Sequence, residues 1–175
     1  MHFSDVHTTE IMNYDIWGSW SNSVGPNAPL NDSCAPTQEG SAISAVKAWT
    51  EAGFPLQNII LGVPGYGHSY HVDSSAAYDS SGKIHPYVPF NKALQPAGDD
   101  WDSTAGGVDA CGNPNVVGGV FNFWGLIDGG FLTANGTAAK GIDHVFDRCS
   151  KTVSHQFQNQ FHSLFKHRHT ALRIQ

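Results

Sequence analysis

The run Ile59-Ile60-Leu61-Gly62-Val63 is apolar without interruption, and no other segment constrains the fold of this chain as strongly. A strand on a half-wet sheet alternates apolar and polar residues. A strand apolar at every position is covered on both faces, as in a parallel sheet. Parallel strands need a long crossover, usually a helix, and the upstream sequence provides one. Residues 10–17, EIMNYDIW, read as a short strand bounded by Gly18. A loop rich in Asn, Pro, Ser and Gly follows to about Pro36. Ala42, Ala45, Val46 and Trp49 then fall at i, i+3, i+4 and i+7, the stripe of an amphipathic helix. Gly53 stands where a C-terminal cap belongs, with Pro55 just beyond to block continuation. Strand, helix and strand make a βαβ unit with a right-handed crossover.

Beyond Tyr70 the pattern changes. Residues 71–117 are dominated by Ser, Gly, Asp and Pro with isolated aromatics. Gly119–Trp124 reads as a strand, Ile127-Asp128-Gly129-Gly130 as a turn, and Ile142–Phe146 as a further strand. Residues 69–149 thus read as a small α+β module attached to the βαβ unit. The last stretch differs again. Four of the nine basic residues, four of the ten histidines and none of the 15 acidic residues follow Cys149. Phe157, Phe161, Leu164 and Phe165 are helix-spaced, and the expectation is an exposed, partly helical tail. His167 and His169 make a poor metal pair without a carboxylate or thiolate, so neither metal nor cofactor is expected.

The formal charge of −6 argues against a general nucleic-acid surface. No apolar run reaches membrane-spanning length, and MHFSDVHTTE shows neither the basic nor the apolar region of a signal peptide. Two sequons, Asn31-Asp32-Ser33 and Asn135-Gly136-Thr137, suit a secreted protein.

The residues most suggestive of chemistry are Met12-Asn13-Tyr14-Asp15, at the end of the first strand, and Leu61-Gly62-Val63-Pro64-Gly65-Tyr66-Gly67, at the second. The first resembles the M-x-Y-D signature on the sixth barrel strand of family 18 glycoside hydrolases, the chitinases. The second resembles that family's seventh strand, L-G-V-P-x-Y-G. Residues 71–149 resemble the α+β insertion domain between strands seven and eight, with Gly119–Leu132 and Asp143–Cys149 its clearest parts. The likeness is greatest to the secreted fungal branch. It implies an α/β fold: residues 5–70 as part of a (β/α)8 TIM barrel, about two of eight strands, 71–149 as the insertion domain, and 150–175 as an aberrant basic tail. Functional side chains of such barrels gather at the C-terminal ends of the strands, where the strand reading puts Tyr14, Asp15 and Tyr66.

The resemblance also implies substrate-assisted hydrolysis of β-1,4-linked N-acetylglucosamine polymers, in which the sugar's own acetamido oxygen attacks its anomeric carbon. By resemblance, Tyr14 hydrogen-bonds that oxygen, Asp15 a neighbouring sugar group, Met12 lines the pocket floor and Tyr66 its wall. Trp17, Trp20, Trp101 and Trp124 are candidates for stacking on sugar faces, although ordinary packing is favoured for Trp49 and Trp124. The family's D-x-x-D-x-D-x-E motif, whose glutamate is the general acid, has no counterpart. Glu10, Glu39 and Glu51 are preceded two positions earlier by Thr8, Thr37 and Trp49. No catalytic residue is therefore assigned, and the chain alone is expected to be inactive. Chitin or N-acetylglucosamine oligomers, bound weakly, and a complementing chain that completes the barrel are the expected partners. The parent family's location is extracellular. Among Cys34, Cys111 and Cys149 the expected bridge is Cys111–Cys149, with Cys34 unpaired or joined to a portion outside the chain; sequence alone leaves the connectivity open.

Overall fold

The computed structural model of the chain describes residues 7–102, 107–114, 117–158 and 170–174. Strand β1 (Thr9–Met12) lies parallel to β2 (Ile59–Gly62), in the register Thr9↔Ile59 to Met12↔Gly62. The connection carries helix α1 (Ala42–Glu51) and a single 3-10 turn (Leu56–Asn58). Ser41 caps α1 reciprocally with Ser44, each side chain accepting from the other's backbone amide. At the far end the amides of Gly53 and Phe54 donate to Thr50 and Trp49 carbonyls, both at 3.0 Å. That is a Schellman closure, with Gly53 at φ 91° and the rings of Trp49 and Phe54 meeting 5.5 Å apart. The expected βαβ unit is therefore present. Its first strand is shorter than residues 10–17: the amide of Asn13 turns back to the carbonyl of Ile11 at 2.9 Å and ends the ladder.

Strand β3 (Tyr66–Asp73) opens a second, wholly antiparallel sheet with β4 (Val120–Asn122), β5 (Asp143–Asp147), β6 (Thr152–Gln158) and β7 (Thr170–Ile174). Their order is β4-β3-β7-β6-β5. Two expectations are corrected here. The strand expected over Gly119–Trp124 stops at Asn122, and Phe123–Asp128 forms helix α2, closed by Gly129 and by Gly130 at φ 76°. The tail expected to be exposed supplies β6 and β7 in its described part, paired with β5 and β3. Ser154 and Gln156 are buried while Val153 is exposed, the period of two that a strand imposes. Of the helix-spaced quartet, Phe161, Leu164 and Phe165 lie outside the described residues.

The core is built on β3. Tyr70 and Val72 pack with Val24, Ala77 and Val88, and Tyr78 and Phe90 close the cluster. The disulfide joins Cys34 to Cys149, correcting the expected Cys111–Cys149 pair. The amide of Leu30 donates to the carbonyl of Ser150 at 2.8 Å and carries the following loop alongside Cys149, so that the two cysteine Cα atoms stand 6.4 Å apart. Cys111 is a free thiol on an exposed hairpin. The β1–β2 pair keeps apolar side chains in solvent: Met12 is 70% and Val63 79% exposed, with Ile60 and Leu61 beside them. No helix among the described residues is long and apolar enough to cross a membrane.

Candidate functional site

The loop following β1 and the start of β3 converge on Asp15. Its backbone adopts φ 57°, a left-handed conformation that aspartate tolerates better than most residues. Asn27 holds it there. The Asn27 Oδ1 accepts from the Asp15 amide at 2.8 Å, its Nδ2 donates to the Tyr66 carbonyl at 3.0 Å, and its carbonyl accepts from Ile16 at 3.1 Å. One buried asparagine thus ties the segment after β1 to the first residue of β3.

The Asp15 side chain projects into a cleft of about 430 Å³ lined by Trp20, Tyr66, His68, Trp101, Asp102, Val120 and Asn122. Asp15 Oδ1 accepts from the Tyr66 hydroxyl at 2.7 Å and lies 2.9 Å from His68 Nε2, while Oδ2 receives no donor among the described residues. A carboxylate so held keeps one oxygen open to a ligand hydroxyl or amide. Burial, then the hydrogen bond to Asp15, then that residue's charge hold the Tyr66 phenol well above the ordinary tyrosine range, so it remains a donor at neutral pH. Trp20 rests on Gly18, where a Cβ would stand 2.2 Å from the indole, and meets the His68 ring edge-on at 5.7 Å. Lys92 fixes the Trp20 carbonyl at 3.1 Å. Trp101, also in the lining, is 81% exposed. Asp102 Oδ2 is occupied by the amides of Gly98 and Gly119, at 3.0 and 2.6 Å, and so organises the wall.

Of the residues singled out from sequence, Asp15 and Tyr66 touch. Tyr14 packs edge-on to Tyr66 at 6.2 Å, with its ring over Gly62, and does not line the cleft. Met12 projects into solvent at the end of β1, outside the lining. Trp20 and Trp101 reach the cleft. Trp17 is buried against Tyr87, and Trp124, for which packing was favoured, is 64% exposed. Asn27 and His68 went unassigned. His68 directly follows the second quoted motif, two residues after Tyr66 and so on its face of the strand, a signal available in sequence. Asn27 sits in an irregular loop and carries none. Among the described residues no group of three or more His, Cys, Asp or Glu is placed to hold a metal ion.

This α/β chain collects a carboxylate, a hydroxyl and aromatic faces beyond the C-terminal ends of two parallel strands, where (β/α)8 enzymes place their functional groups. More particularly, it belongs to glycosyl hydrolases family 18, whose sequence model matches residues 2–140. A chitinase-like effector from Moniliophthora roreri is 52% identical over 146 residues, covering 81% of this chain and 35% of that protein. A chitinase from Rhizomucor miehei superposes with a TM-score of 0.70 at 28% identity, over 97% of this chain and 42% of that one. A family 18 chitinase from Cycas revoluta, solved in complex with (GlcNAc)4, shares the fold at a TM-score of 0.54 and 17% identity, over 95% of this chain and 35% of its own. The chain spans about a third of the length of the chitinase-like effectors it matches.

Proposed function

We propose that this chain is the sugar-contacting wall of a chitinase-type glycoside hydrolase and that, alone, it binds N-acetylglucosamine oligomers weakly without cleaving them. The observation that carries this reading is the Asp15 carboxylate, held through Oδ1 by Tyr66 and His68 with Oδ2 left open to the cleft. Asp15 would accept from a sugar hydroxyl or acetamido N–H, and Tyr66 would form the wall beside it. Tyr14 would reach the acetamido oxygen and Met12 would floor the pocket once the rest of a barrel closes around them. Trp20 and Trp101 offer apolar faces for the sugar rings.

Hydrolysis is a separate matter. The chain has no D-x-E sequence, and among the described residues the one other carboxylate lining the cleft, Asp102, is engaged by two backbone amides through Oδ2. General acid–base catalysis is worth about 10²–10⁴-fold, and an uncompleted barrel forfeits positioning besides.

The β1–β2 pair supports a partial (β/α)8 barrel, two strands of eight, with 71–149 as an insertion domain. Met12, Ile60, Leu61 and Val63 are side chains that a complete barrel covers, and they stand in solvent here. The same face favours a complementing chain that supplies the missing strands. The Cys34–Cys149 bridge supports an extracellular location, since such bonds persist in oxidising compartments. Retention on chitin beads, together with release of product from chromogenic chito-oligomers, tests the reading. Retention weakened by Asp15→Ala with no product is expected; product release, or no retention at all, refutes it.

A further inference from the structure

The fold places its two sequons in different surroundings. Asn135-Gly136-Thr137 forms the tip of a hairpin in which Leu132 bridges Ala138. The Thr133 amide donates to the Thr137 carbonyl and the Gly136 amide to the Thr133 carbonyl, both at 2.8 Å. Gly136 closes the turn at φ 81°. Asn135 is exposed, and its Oδ1 accepts from the Thr133 hydroxyl and from the Thr137 hydroxyl at 3.0 Å. Its Nδ2, the atom to which an N-linked sugar attaches, makes no hydrogen bond among the described residues. A Cβ on Gly136 would stand 3.0 Å from Phe123 Cζ, so the turn lies beside a half-exposed aromatic ring on which the apolar face of a first sugar could rest.

Asn31-Asp32-Ser33 is more confined: Asn31 is half-buried and Asp32 buried, although Ser33 is exposed. The Asn31 Oδ1 accepts from the Ser33 amide at 3.0 Å. The buried Asp32 carboxylate accepts from Ser41 Oγ and the Gly40 amide, at 3.0 and 3.1 Å. The Ser33 hydroxyl lies 3.9 Å from the sulfur of Cys34 and the same distance from that of Cys149. Leu30, one residue earlier, is tied to Ser150. An oligosaccharide on Asn31 would have to clear the disulfide and the 149–150 segment, whereas Asn135 stands on an exposed turn.

We propose that Asn135 is an N-glycosylation site of this chain and that Asn31 is left unmodified. The disulfide supplies the independent support, since it places folding in the oxidising compartment where N-linked oligosaccharides are added. In the transfer, Asn135 Nδ2 attacks the anomeric carbon of an oligosaccharide carried as a lipid diphosphate. The new C–N bond forms, the C–O bond to the diphosphate breaks, one amide proton passes to a base of the transferring enzyme, and the lipid diphosphate departs. The inference is independent of the sugar-binding reading, and neither stands or falls with the other.

The test is production of the full 175-residue chain behind a cleavable secretion leader in yeast. The lumenal and secreted fractions are analysed by intact mass before and after peptide N-glycosidase. One oligosaccharide is expected, with one asparagine converted to aspartate on release, mapped to position 135. Asn135→Gln and Thr137→Ala should each abolish it, Thr137→Ser should retain it, and Asn31→Gln should leave it unchanged. Attachment at Asn31, or a translocated and disulfide-bonded chain that carries no sugar, overturns the proposal.

Discussion

The Tyr66 hydroxyl donates to Asp15 Oδ1 across 2.7 Å, joining residues 51 positions apart in sequence at the mouth of one cleft. This contact links the segment after β1 to the start of β3. Its electrostatic signature is measurable: Tyr66 should ionise well above the ordinary tyrosine range in a difference-absorbance titration. Asp15→Asn should lower that ionisation without normalising it, because burial, the largest cause, remains.

The amide of Asn27 should matter more than its loop position implies. Asn27→Ala leaves the Asp15 amide and the Tyr66 carbonyl without their partner. A buried group left unpaired costs about 1–3 kcal/mol. The expected result in chemical denaturation is a loss in that range, together with release of the left-handed backbone at Asp15, visible as shifted Asp15 and Tyr66 amide resonances. Unchanged resonances would remove Asn27 from the account.

Much of this architecture was legible in the sequence, and what escaped follows a physical pattern. The unbroken Ile59–Val63 run, the Ala42–Trp49 stripe and Gly53 each report local or burial preferences, and the βαβ unit follows from them. Phe123 and Trp124 are aromatic residues of the kind that favour strands, yet the chain turns into α2 at Asn122. The strands of the tail were not legible because the spacing of its side chains says nothing about an open sheet edge. β3 offers that edge from Ser69 to Asp73, where β7 pairs with it. The cysteine pairing depends on the contact of Leu30 with Ser150, 120 residues apart, which no spacing rule encodes. Within the site, Asp15 and Tyr66 were visible as motif residues, whereas Asn27 acts through its amide from a loop without periodicity.

Removing the disulfide should be costly. Cys34 and Cys149 are 115 residues apart, and loss of a native bridge in a small domain costs about 2–5 kcal/mol, more for a longer loop. Cys34→Ser with Cys149→Ser should lower the thermal midpoint, and Cys111→Ser should leave it unaltered. A midpoint equal in all three proteins would show that the bridge adds nothing.

Stability should decline on mild acidification. Burial, and then neighbouring His144, depress the His155 pKa below its ordinary value near 6.5; the two rings stack at 6.2 Å across β5 and β6. The folded state therefore favours neutral His155. Its contribution is complete above about pH 6.5 and is lost as the pH falls from there through the folded pKa. Urea midpoints at pH 7.5 and 5.5 should differ more in the native sequence than in His155→Gln.

Gly25 should not accept a side chain. A Cβ there would stand 2.1 Å from Cδ2 of the buried Trp17. Overpacking of this kind costs about 1–3 kcal/mol, so Gly25→Ala should unfold earlier in denaturant and change the Trp17 fluorescence. An unaltered midpoint would mean that the loop yields freely.

Isothermal titration of N-acetylglucosamine tetramer into the full chain, with the cell contents then analysed for shorter oligomers, tests the central claim most directly. The account predicts saturable, weak binding that Asp15→Ala reduces at least tenfold, and intact tetramer at the end. Cleaved tetramer, or binding indifferent to Asp15→Ala, would contradict it.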